Sequence, residues 1–365
     1  MSLEIPGKMR ALVEDQSGKT ASIQEVALPE LEENDILVKV AYVAQNPTDW
    51  KHASIPGLSV PGAIIGCDFS GTVVTIPSIC PNPNKLQVGD KIAGMVHGGK
   101  FPTKGSFAQY LRVPSDTCWK VPESVGLRDA PVYGVGFITA AGVLYRRQKH
   151  EYPPAKIEGD HWYLVYGGST AVGMFAVQLA KLAGYKVIAT ASPKNFDLVK
   201  SYGADEVVDY KDADHASSEI KRITNNTLSI GLDTISEKGS FGIALNGFSD
   251  DKSLGGEQRK LSALLQADEK TQLLAKEKSV TVETILAYTF MGISFEFFPG
   301  MTLPVIPGDR DWFNNFHTRI ADIITKHNIK PNPVKESGGL DDILDGFELQ
   351  KSGKVSGTKL VYRIE

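Results

Sequence analysis

Residues 162–192 read WYLVYGGSTAVGMFAVQLAKLAGYKVIATAS, and two different hydrophobic periods follow one another along this stretch. Trp162 to Tyr166 is an apolar run of strand length, followed by the small-residue turn GGSTAVG at 167–173. Apolar side chains then recur at helical spacing up to Ala183, and Gly184 ends the helix as a left-handed cap would. A second buried strand follows at 186–190. The stretch therefore predicts a strand, a tight turn, a helix and a parallel strand.

The turn has the properties of a phosphate site. Free backbone N–H groups and the positive end of a helix attract a pyrophosphate, and small residues let the backbone approach it. The usual glycine fingerprint is not intact, because the spacing is Gly167-x-x-Thr170-x-x-Gly173 with Gly168 added. A lone glycine pattern is weak, and a tight turn in a ligand-free α/β domain is the alternative. The surrounding elements favour a dinucleotide site, whose expected residues are Gly168, Ser169, Thr170, Ala171 and Val172.

The end of the second strand indicates which dinucleotide binds. An NAD site usually ends this strand with Asp or Glu, which binds the ribose 2′-hydroxyl. Here the strand ends in Ala191-Ser-Pro-Lys-Asn195, which has no acid. A hydroxyl, an amide and a lysine can hold a 2′-phosphate, so we predict NADPH over NADH, with Ser192, Lys194 and Asn195 at the phosphate. Helix capping by Ser192 and Asn195 is the alternative, and both roles can coexist.

Composition restricts the class of protein. The chain has 365 residues, enough for two domains, and is 42% hydrophobic and 22% charged, as in a soluble globular protein. Its net charge is -4 with no long basic run, which argues against a nucleic-acid partner. No apolar run approaches membrane-spanning length, and the N-terminus lacks a signal-peptide core. Three scattered cysteines fit a reducing compartment, so we expect a cytoplasmic protein without a disulfide framework.

The order of predicted elements separates two parts of the chain. Strands are expected at 9–13, 21–27 and 36–44, and helices are scarce before residue 125, so the first part is mostly β. After residue 192, short helices alternate with strands expected at 206–210, 228–235 and 261–265, which implies a parallel sheet. An amphipathic helix at 312–327 and a final strand at 355–361 complete the chain. The fold class is therefore α/β with a second, mostly β domain.

Motifs upstream of the dinucleotide unit carry a family resemblance. They are Asn46-Pro-Thr-Asp-Trp-Lys51, Gly66-Cys-Asp68, Val88-Gly-Asp-Lys-Ile-Ala-Gly94 and the run from Gly105 to Pro114. In this order they resemble the medium-chain dehydrogenase/reductase superfamily, nearly end to end, and its quinone-oxidoreductase-like branch most closely. Residues 46–51, 167–173 and 192–196 are similar to the trans-acting enoyl reductases of fungal polyketide pathways. The resemblance implies a GroES-like catalytic domain at 1–155, a Rossmann NADP-binding domain at 156–300, and a return to the catalytic domain at 301–365.

The sequence departs from zinc-containing members of the superfamily at the residues that would bind the metal. Zinc alcohol dehydrogenases carry Gly-His-Glu where this chain has Gly66-Cys67-Asp68. A catalytic zinc needs three protein ligands, no His lies near Cys67 in sequence, and the cysteine-rich loop for a structural zinc is missing. We therefore predict no metal. Cys67 is then a small buried side chain.

The resemblance also assigns site residues. Those expected at the cofactor are Thr48, Asp49, Trp50 and Lys51 near the nicotinamide ribose, Tyr210 near the adenosine, and Val355 and Ser356 at the nicotinamide end. Residues expected at the substrate are Phe137, Thr139, Ala140 and Ala141 on a helix that lines the cleft, and Tyr288, Thr289, Phe290, Met291 and Gly292 at an acyl pocket. Packing in the core is the alternative for most of these apolar residues.

The implied chemistry is hydride transfer from NADPH to the β-carbon of an α,β-unsaturated acyl thioester. The enolate needs a donor at its oxygen and a proton at its α-carbon, for which Lys51 and Thr139 are the candidates and Tyr42 a weaker one. Lys51 alternatively binds the cofactor or is a solvated surface lysine. The implied partner is an acyl carrier protein or polyketide synthase that presents the substrate. The protein itself is expected to be a monomer or homodimer. A basic docking patch would consist of Lys51, Lys100, Lys104, Arg146, Arg147 and Lys149, although a solvated charged face is the alternative.

The sequence is also compatible with two other functions. One is a quinone or small-enone reductase of the same fold, which activity on an acyl thioester but not on quinones would exclude. The other is a protein that holds the cofactor without a redox step, as a cyclase or as a structural partner of a synthase.

Overall fold

The protein is described by a computed structural model over residues 5–15 and 17–364. The chain divides into two compact units, Met1–Val135 with Tyr288–Glu365 (unit 1) and Gly136–Ala287 (unit 2). The boundaries between these units lie after residues 135 and 287, whereas the sequence predicts domain boundaries after residues 155 and 300.

The strands in the described part of the chain are β1 (Lys8–Glu14), β2 (Ala21–Ala27), β3 (Asp35–Ala44), β4 (Asp68–Thr75), β5 (Lys91–Met95), β6 (Tyr110–Pro114), β7 (Cys118–Lys120), β8 (Trp162–Tyr166), β9 (Lys186–Ala191), β10 (Glu206–Asp209), β11 (Ile230–Asp233), β12 (Lys260–Ala263), β13 (Thr281–Thr284), β14 (Phe295–Phe298), β15 (Met301–Leu303), β16 (Val334–Glu336) and β17 (Lys359–Arg363).

The α-helices within the same ranges are α1 (Pro47–Ser54), α2 (Val135–Ala141), α3 (Ala171–Leu182), α4 (Phe196–Ser201), α5 (Ala213–Ile223), α6 (Ser240–Gly247), α7 (Glu269–Glu277), α8 (Asp309–His317), α9 (Ile320–Lys326) and α10 (Ile343–Lys351). A π-helical segment, Gly142–Arg147, continues α2. None of the helices formed by residues 5–15 and 17–364 combines the length and the apolar character needed to cross a membrane.

Unit 2 is built on one parallel sheet. Its strand order is β10-β9-β8-β11-β12-β13, and every neighbouring pair is parallel. The sheet is held by a buried apolar cluster to which Leu164 on β8, Ile188 on β9 and Leu261 on β12 contribute. This is the doubly wound Rossmann order, so the α/β prediction is confirmed. Ligands of such sheets bind beyond the carboxyl ends of the strands, which here are followed by the turn after β8 and the loops after β9 and β10.

Unit 1 is mostly β, which confirms the GroES-like prediction. Its main sheet has the order β16-β17-β3-β4-β5-β7, with β6 also paired to β3, and two hairpins, β1–β2 and β14–β15, stand beside it. Ile36, Phe69 and Phe107 belong to its buried core. The last strand, β17, is antiparallel to β3, with Val361 opposite Ala44. This pairing brings the C-terminal strand next to the chain segment that leads into α1.

Two expected elements differ from the structure. The single helix expected at 312–327 is divided into α8 and α9, because Thr318 Oγ1 donates to the carbonyl of Asn315 at 2.7 Å and Arg319 N reaches back only three residues, to Phe316 O at 2.9 Å. The strand expected from residue 355 begins at Lys359, so Val355 and Ser356 lie in the connection before it. Helix α1, which carries the 46–51 motif, was not expected as a helix.

Candidate active site

The turn between β8 and α3 has no room for larger side chains. Gly167 has a φ of +81°, and a Cβ placed on Gly173 would lie 2.1 Å from the Gly167 carbonyl oxygen. Thr170 caps α3, because its Oγ1 accepts from Gly173 N at 2.9 Å. Ser169 to Val172 stay partly exposed at the start of the helix. The turn thus presents backbone and small polar groups at a helix N-terminus, as an anion site requires.

The loops after β9 and β10 meet this turn. Asn195 Nδ2 donates to Ser169 Oγ at 3.2 Å, and the hydroxyls of Ser192 and Tyr210 lie 3.0 Å apart. Lys194 is exposed between them in sequence. Neither Ser192 nor Asn195 makes a side-chain capping hydrogen bond, so the capping alternative is not supported. Three consecutive strands of unit 2 therefore bring the predicted phosphate and adenosine residues together.

In unit 1, the start of α1 is surrounded by buried polar groups. Asn46 N donates to Asp49 Oδ2 at 2.6 Å, and Asn46 Nδ2 donates to Asp68 Oδ2 at 2.8 Å. Lys359 Nζ donates to Asn46 Oδ1 and lies 3.3 Å from Asp68 Oδ2, while Val135 N donates to Asp68 Oδ1 at 2.7 Å. The side chains of Lys359 and Asp68 are 3% and 0% exposed. A buried ammonium on β17 thus neutralises a buried carboxylate on β4.

A second carboxylate, that of Asp49, lies in the same buried region, where the Lys359 charge has only a small effect on its pKa. Burial raises the pKa of Asp49 to about 7, with a smaller contribution from the nearby Asp68 charge, and the hydrogen bond from Asn46 N opposes the shift. Burial also raises the pKa of Asp68, while Lys359 and the Asn46 side chain oppose that shift. Asp49 consequently changes its charge near neutral pH.

We expect an Asp49→Asn variant to flatten the pH dependence of stability. The pKa of Asp49 in the folded state, about 7, lies above its ordinary value of 3.8. The folded state therefore binds the extra proton between these values, and the free energy of unfolding falls as pH rises from 4 to 7. In denaturant titrations of the wild type, the free energy of unfolding should fall by an amount on the order of 2–4 kcal/mol over this window. The Asp49→Asn variant should not show this fall. Asp160→Asn, at a 71% exposed side chain, is the control; equal slopes in wild type and Asp49→Asn would contradict this expectation.

A further group of buried side chains surrounds Thr48. Tyr288 OH lies 3.1 Å from Thr48 Oγ1 and 3.1 Å from Cys67 Sγ. The ring of Tyr288 stacks on that of His97 with centroids 3.6 Å apart, and His52 Nδ1 lies 2.8 Å from the Thr48 carbonyl oxygen. Burial raises the pKa of Cys67 well above its usual value, so this thiol is protonated.

Comparison with known proteins places these features in a family. The alcohol dehydrogenase GroES-like domain matches residues 32–123, and the zinc-binding dehydrogenase domain matches residues 171–250. A trans-enoyl reductase of Alternaria alternata is 39% identical over 359 residues, covering 98% of this chain and 99% of the relative. This chain belongs to the trans-enoyl reductases of the medium-chain dehydrogenase/reductase superfamily.

Solved structures agree with this fold at lower sequence identity. An alcohol dehydrogenase superfamily protein from Novosphingobium aromaticivorans has a TM-score of 0.79 and 20% identity, covering 98% of this chain and all of that one. A mycobacterial protein solved in complex with NADPH has a TM-score of 0.76 and 19% identity, covering 97% and 99% of the two chains. At these identities the likeness concerns the fold.

In this trans-enoyl reductase, the residues present do not fit the zinc that the name of one matching domain implies. Within residues 5–15 and 17–364, no group of three or more His, Cys, Asp or Glu side chains could hold a metal ion. Cys67 packs against Tyr288, and Asp68 is paired with the Lys359 ammonium. No step of the reaction is therefore assigned to a metal.

The remaining predicted residues lie in both units. In unit 2, Phe137, Ala140 and Ala141 are fully buried, and Thr139 is 4% exposed. In unit 1, Phe290 is fully buried, and Tyr288, Thr289 and Met291 are also buried. Gly292 has a φ of +65°, and a Cβ there would lie 2.5 Å from Arg310 Cβ. Trp50 and Lys51 are partly exposed, with Lys51 Nζ 5.8 Å from the Trp50 ring centroid.

Two lysines of the suggested basic patch, Lys100 and Lys104, bond to other groups of unit 1. Lys100 is buried, and its Nζ donates to the carbonyl of Leu58 at 2.9 Å. Lys104 pairs with Glu32 at 3.1 Å, and only 15% of its side chain is exposed. Both lysines bind to unit 1 itself, so they do not contribute to a docking surface.

The sequence did not reveal the polar residues behind α1. Asn46 was visible only as part of a motif, and Lys359, His52 and His97 were given no site role. Lys359 meets Asn46 across 313 positions of sequence, so no local pattern predicts the contact. The one available signal is that Lys359 directly precedes the apolar run Leu360-Val-Tyr362, where a buried charge is stable only with a partner.

Proposed function

We propose that this protein is a zinc-independent, NADPH-dependent enoyl reductase that acts in trans. Its substrate is an α,β-unsaturated acyl thioester on the carrier protein of a polyketide synthase, and its product is the saturated thioester. The observation that carries the proposal is the full-length similarity to proteins named trans-enoyl reductases, at 39% identity to the Alternaria alternata protein and 31% to one from Pyricularia oryzae.

The geometry of unit 2 supports a dinucleotide. The pyrophosphate would bind at the N-terminus of α3, where Gly168 lets the turn pack closely on β9, because a Cβ there would lie 2.8 Å from Ala189 Cβ. The adenosine 2′-phosphate would bind Ser192, Lys194 and Asn195, which form a loop without an acidic residue. A mycobacterial protein of similar fold was solved in complex with NADPH, which supports a nicotinamide cofactor.

A Ser192→Asp substitution should reverse the cofactor preference. The new carboxylate would repel the 2′-phosphate and could accept a hydrogen bond from a ribose 2′-hydroxyl. We expect KM for NADPH to rise about 100-fold, equivalent to about 2.7 kcal/mol, with KM for NADH unchanged or lowered. Ser201→Asp adds the same charge on the exposed end of α4 and should leave both values within about twofold. Equal effects of Ser192→Asp on both cofactors would count against the assigned phosphate site.

Bound NADPH supplies the hydride, which goes to the β-carbon of the enoyl thioester. The chain must then stabilise the negative charge on the thioester oxygen and return a proton to the α-carbon. We assign these roles to Lys51 and Thr139. The Lys51 ammonium is held over the Trp50 ring, and the burial of Thr139 would strengthen any hydrogen bond that its hydroxyl donates.

Substrate contacts are proposed for two apolar segments. The first consists of Phe137, Ala140 and Ala141 on α2, which are fully buried. The second is the 3₁₀ segment Ala287–Met291 with Gly292. Both segments are apolar and buried, as residues that shield an acyl chain from water would be.

The test is a comparison of acceptors with the purified protein. NADPH oxidation is followed with an enoyl group on an acyl carrier protein, with the same group on a small thiol, and with a panel of quinones. We expect kcat/KM for the carrier-bound substrate to exceed that for any quinone by at least about tenfold. Turnover of quinones alone would identify a quinone reductase of the same fold. NADPH binding without turnover of any acceptor would favour a cyclase or structural role.

A further inference from the structure

Two hydrogen-bonding side chains of unit 1, Tyr288 and His52, meet at the Thr48 hydroxyl. Its Oγ1 lies 3.1 Å from Tyr288 OH and 3.1 Å from His52 Nδ1. Tyr288 and His52 are 3% and 2% exposed, whereas Thr48 is partly exposed. The direction in which each hydrogen points therefore determines what the Thr48 hydroxyl offers to a ligand.

The hydrogen on His52 is fixed by the backbone. His52 Nδ1 lies 2.8 Å from the Thr48 carbonyl oxygen, which can only accept, so Nδ1 must carry a hydrogen. Burial lowers the pKa of His52 to about 4, so the ring is neutral and this is its one N–H. Thr48 Oγ1 consequently cannot donate to Nδ1 and receives part of that hydrogen instead.

The hydrogen on Tyr288 has two possible acceptors, Thr48 Oγ1 and Cys67 Sγ, both at 3.1 Å. Thiol sulfur is a weak acceptor, so the phenol hydrogen goes to the Thr48 oxygen. The Cys67 S–H has the Asp49 carboxylate as its acceptor. Burial raises the pKa of both Tyr288 and Cys67 well above the usual values, and both groups keep their hydrogens. The His97 ring, stacked on that of Tyr288 with centroids 3.6 Å apart, holds the aromatic ring in place.

We propose that Tyr288 and His52 are positioning residues that leave the Thr48 hydroxyl hydrogen free to point outward, where it donates to the carbonyl oxygen of the thioester substrate. Two donors fill the acceptor positions of Thr48 Oγ1, so its own hydrogen is directed away from both. A donor fixed before the reaction stabilises a developing oxyanion without reorganisation. The inference rests on the proposed function and assigns the Thr48 hydroxyl a contact with the thioester oxygen.

A double-mutant cycle tests this arrangement with Thr48→Val, Tyr288→Phe and the double variant. We expect Thr48→Val to lower kcat about 100-fold and Tyr288→Phe to lower it about tenfold, with Kd for NADPH within about threefold of wild type. In the Thr48→Val background, Tyr288→Phe should change kcat by less than about twofold, because its effect passes through the Thr48 hydroxyl. Thr48→Ser keeps the hydroxyl and should retain kcat within about threefold.

Tyr133→Phe is the matched control, because Tyr133 is also a buried tyrosine of unit 1, whose hydroxyl donates to Ile329 O at 2.7 Å. It should lower Tm about as much as Tyr288→Phe while leaving kcat unchanged. Equal fold losses from Tyr288→Phe in both backgrounds, or a loss confined to Kd for NADPH, would overturn the inference. Wild-type turnover of the enoyl thioester decides the proposed function separately from these results.

A measurement without turnover gives a second test. Neutron diffraction of the deuterium-exchanged protein should show the Tyr288 deuterium directed at Thr48 Oγ1 and the Thr48 deuterium directed away from Tyr288 and His52. A Thr48 deuterium pointing at Tyr288 would overturn the inference whatever the activity of the protein.

Discussion

A Gly173→Ala variant should bind NADPH at least about 100-fold more weakly than the wild type. The added Cβ would lie 2.1 Å from the Gly167 carbonyl oxygen and 3.0 Å from Gly168 Cα, so the backbone of the turn must move. That movement would also disturb the hydrogen bond from Gly173 N to Thr170 Oγ1, which caps α3. Displacements of about 1 Å can cost about 100-fold in a positioned complex. Titration of NADPH fluorescence measures the change.

Gly242→Ala is the control for that substitution. Gly242 lies in α6 of the same unit, and a Cβ there would meet nothing within 4 Å. Alanine is the better helix former by about 0.5–1 kcal/mol, so this variant should be equally or more stable and bind NADPH normally. Wild-type affinity in Gly173→Ala would show that the turn does not form the nucleotide site.

A Lys359→Met variant should lose about 3–5 kcal/mol of the free energy of unfolding, which is the typical cost of leaving a buried charge without its partner. Asp68 is fully buried, and the Lys359 ammonium is 3.3 Å from its Oδ2. A loss of this size is a large fraction of the stability of an ordinary domain, so Tm should fall steeply. Chemical denaturation at neutral pH measures the effect.

The double variant Lys359→Met/Asp68→Asn should recover much of that loss, because it removes the unpaired charge together with its partner. Lys326→Met removes a cation from an exposed pair with Asp322, in which the Lys326 side chain is 67% exposed, and should cost less than about 1 kcal/mol. A Lys359→Met variant within about 1 kcal/mol of wild type would show that the buried pair does not stabilise unit 1.

The sequence predicted unit 2 well because its information is local. The apolar run at 162–166, the turn at 167–173 and the helical spacing that follows became β8, the turn and α3 with small changes at the ends. The loops after β8, β9 and β10 meet through the contacts of Asn195 with Ser169 and of Ser192 with Tyr210, since parallel strands place their carboxyl ends at one edge of a sheet. Family motifs added what periodicity alone could not, the GroES-like nature of unit 1.

The contacts that the sequence did not predict join distant parts of the chain. The partnership of Lys359 with Asp68 joins the last strand to β4, and the contact of Tyr288 with Thr48 spans 240 positions. Hydrophobic periodicity carries no information about either contact. The single helix expected at 312–327 is divided because a side chain competes with the backbone for a hydrogen bond. Thr318 Oγ1 donates to a backbone carbonyl there and ends α8.

The most direct test of the account is the transfer of deuterium from NADPH labelled at C4 of the nicotinamide ring, on each face in turn, to a carrier-bound enoyl thioester. We predict that one of the two labelled cofactors gives a saturated thioester with deuterium at the β-carbon, and that reduction in D₂O with unlabelled NADPH places deuterium at the α-carbon. A saturated product without β-carbon label from either cofactor, or unchanged enoyl thioester after NADPH has been consumed, would contradict the account.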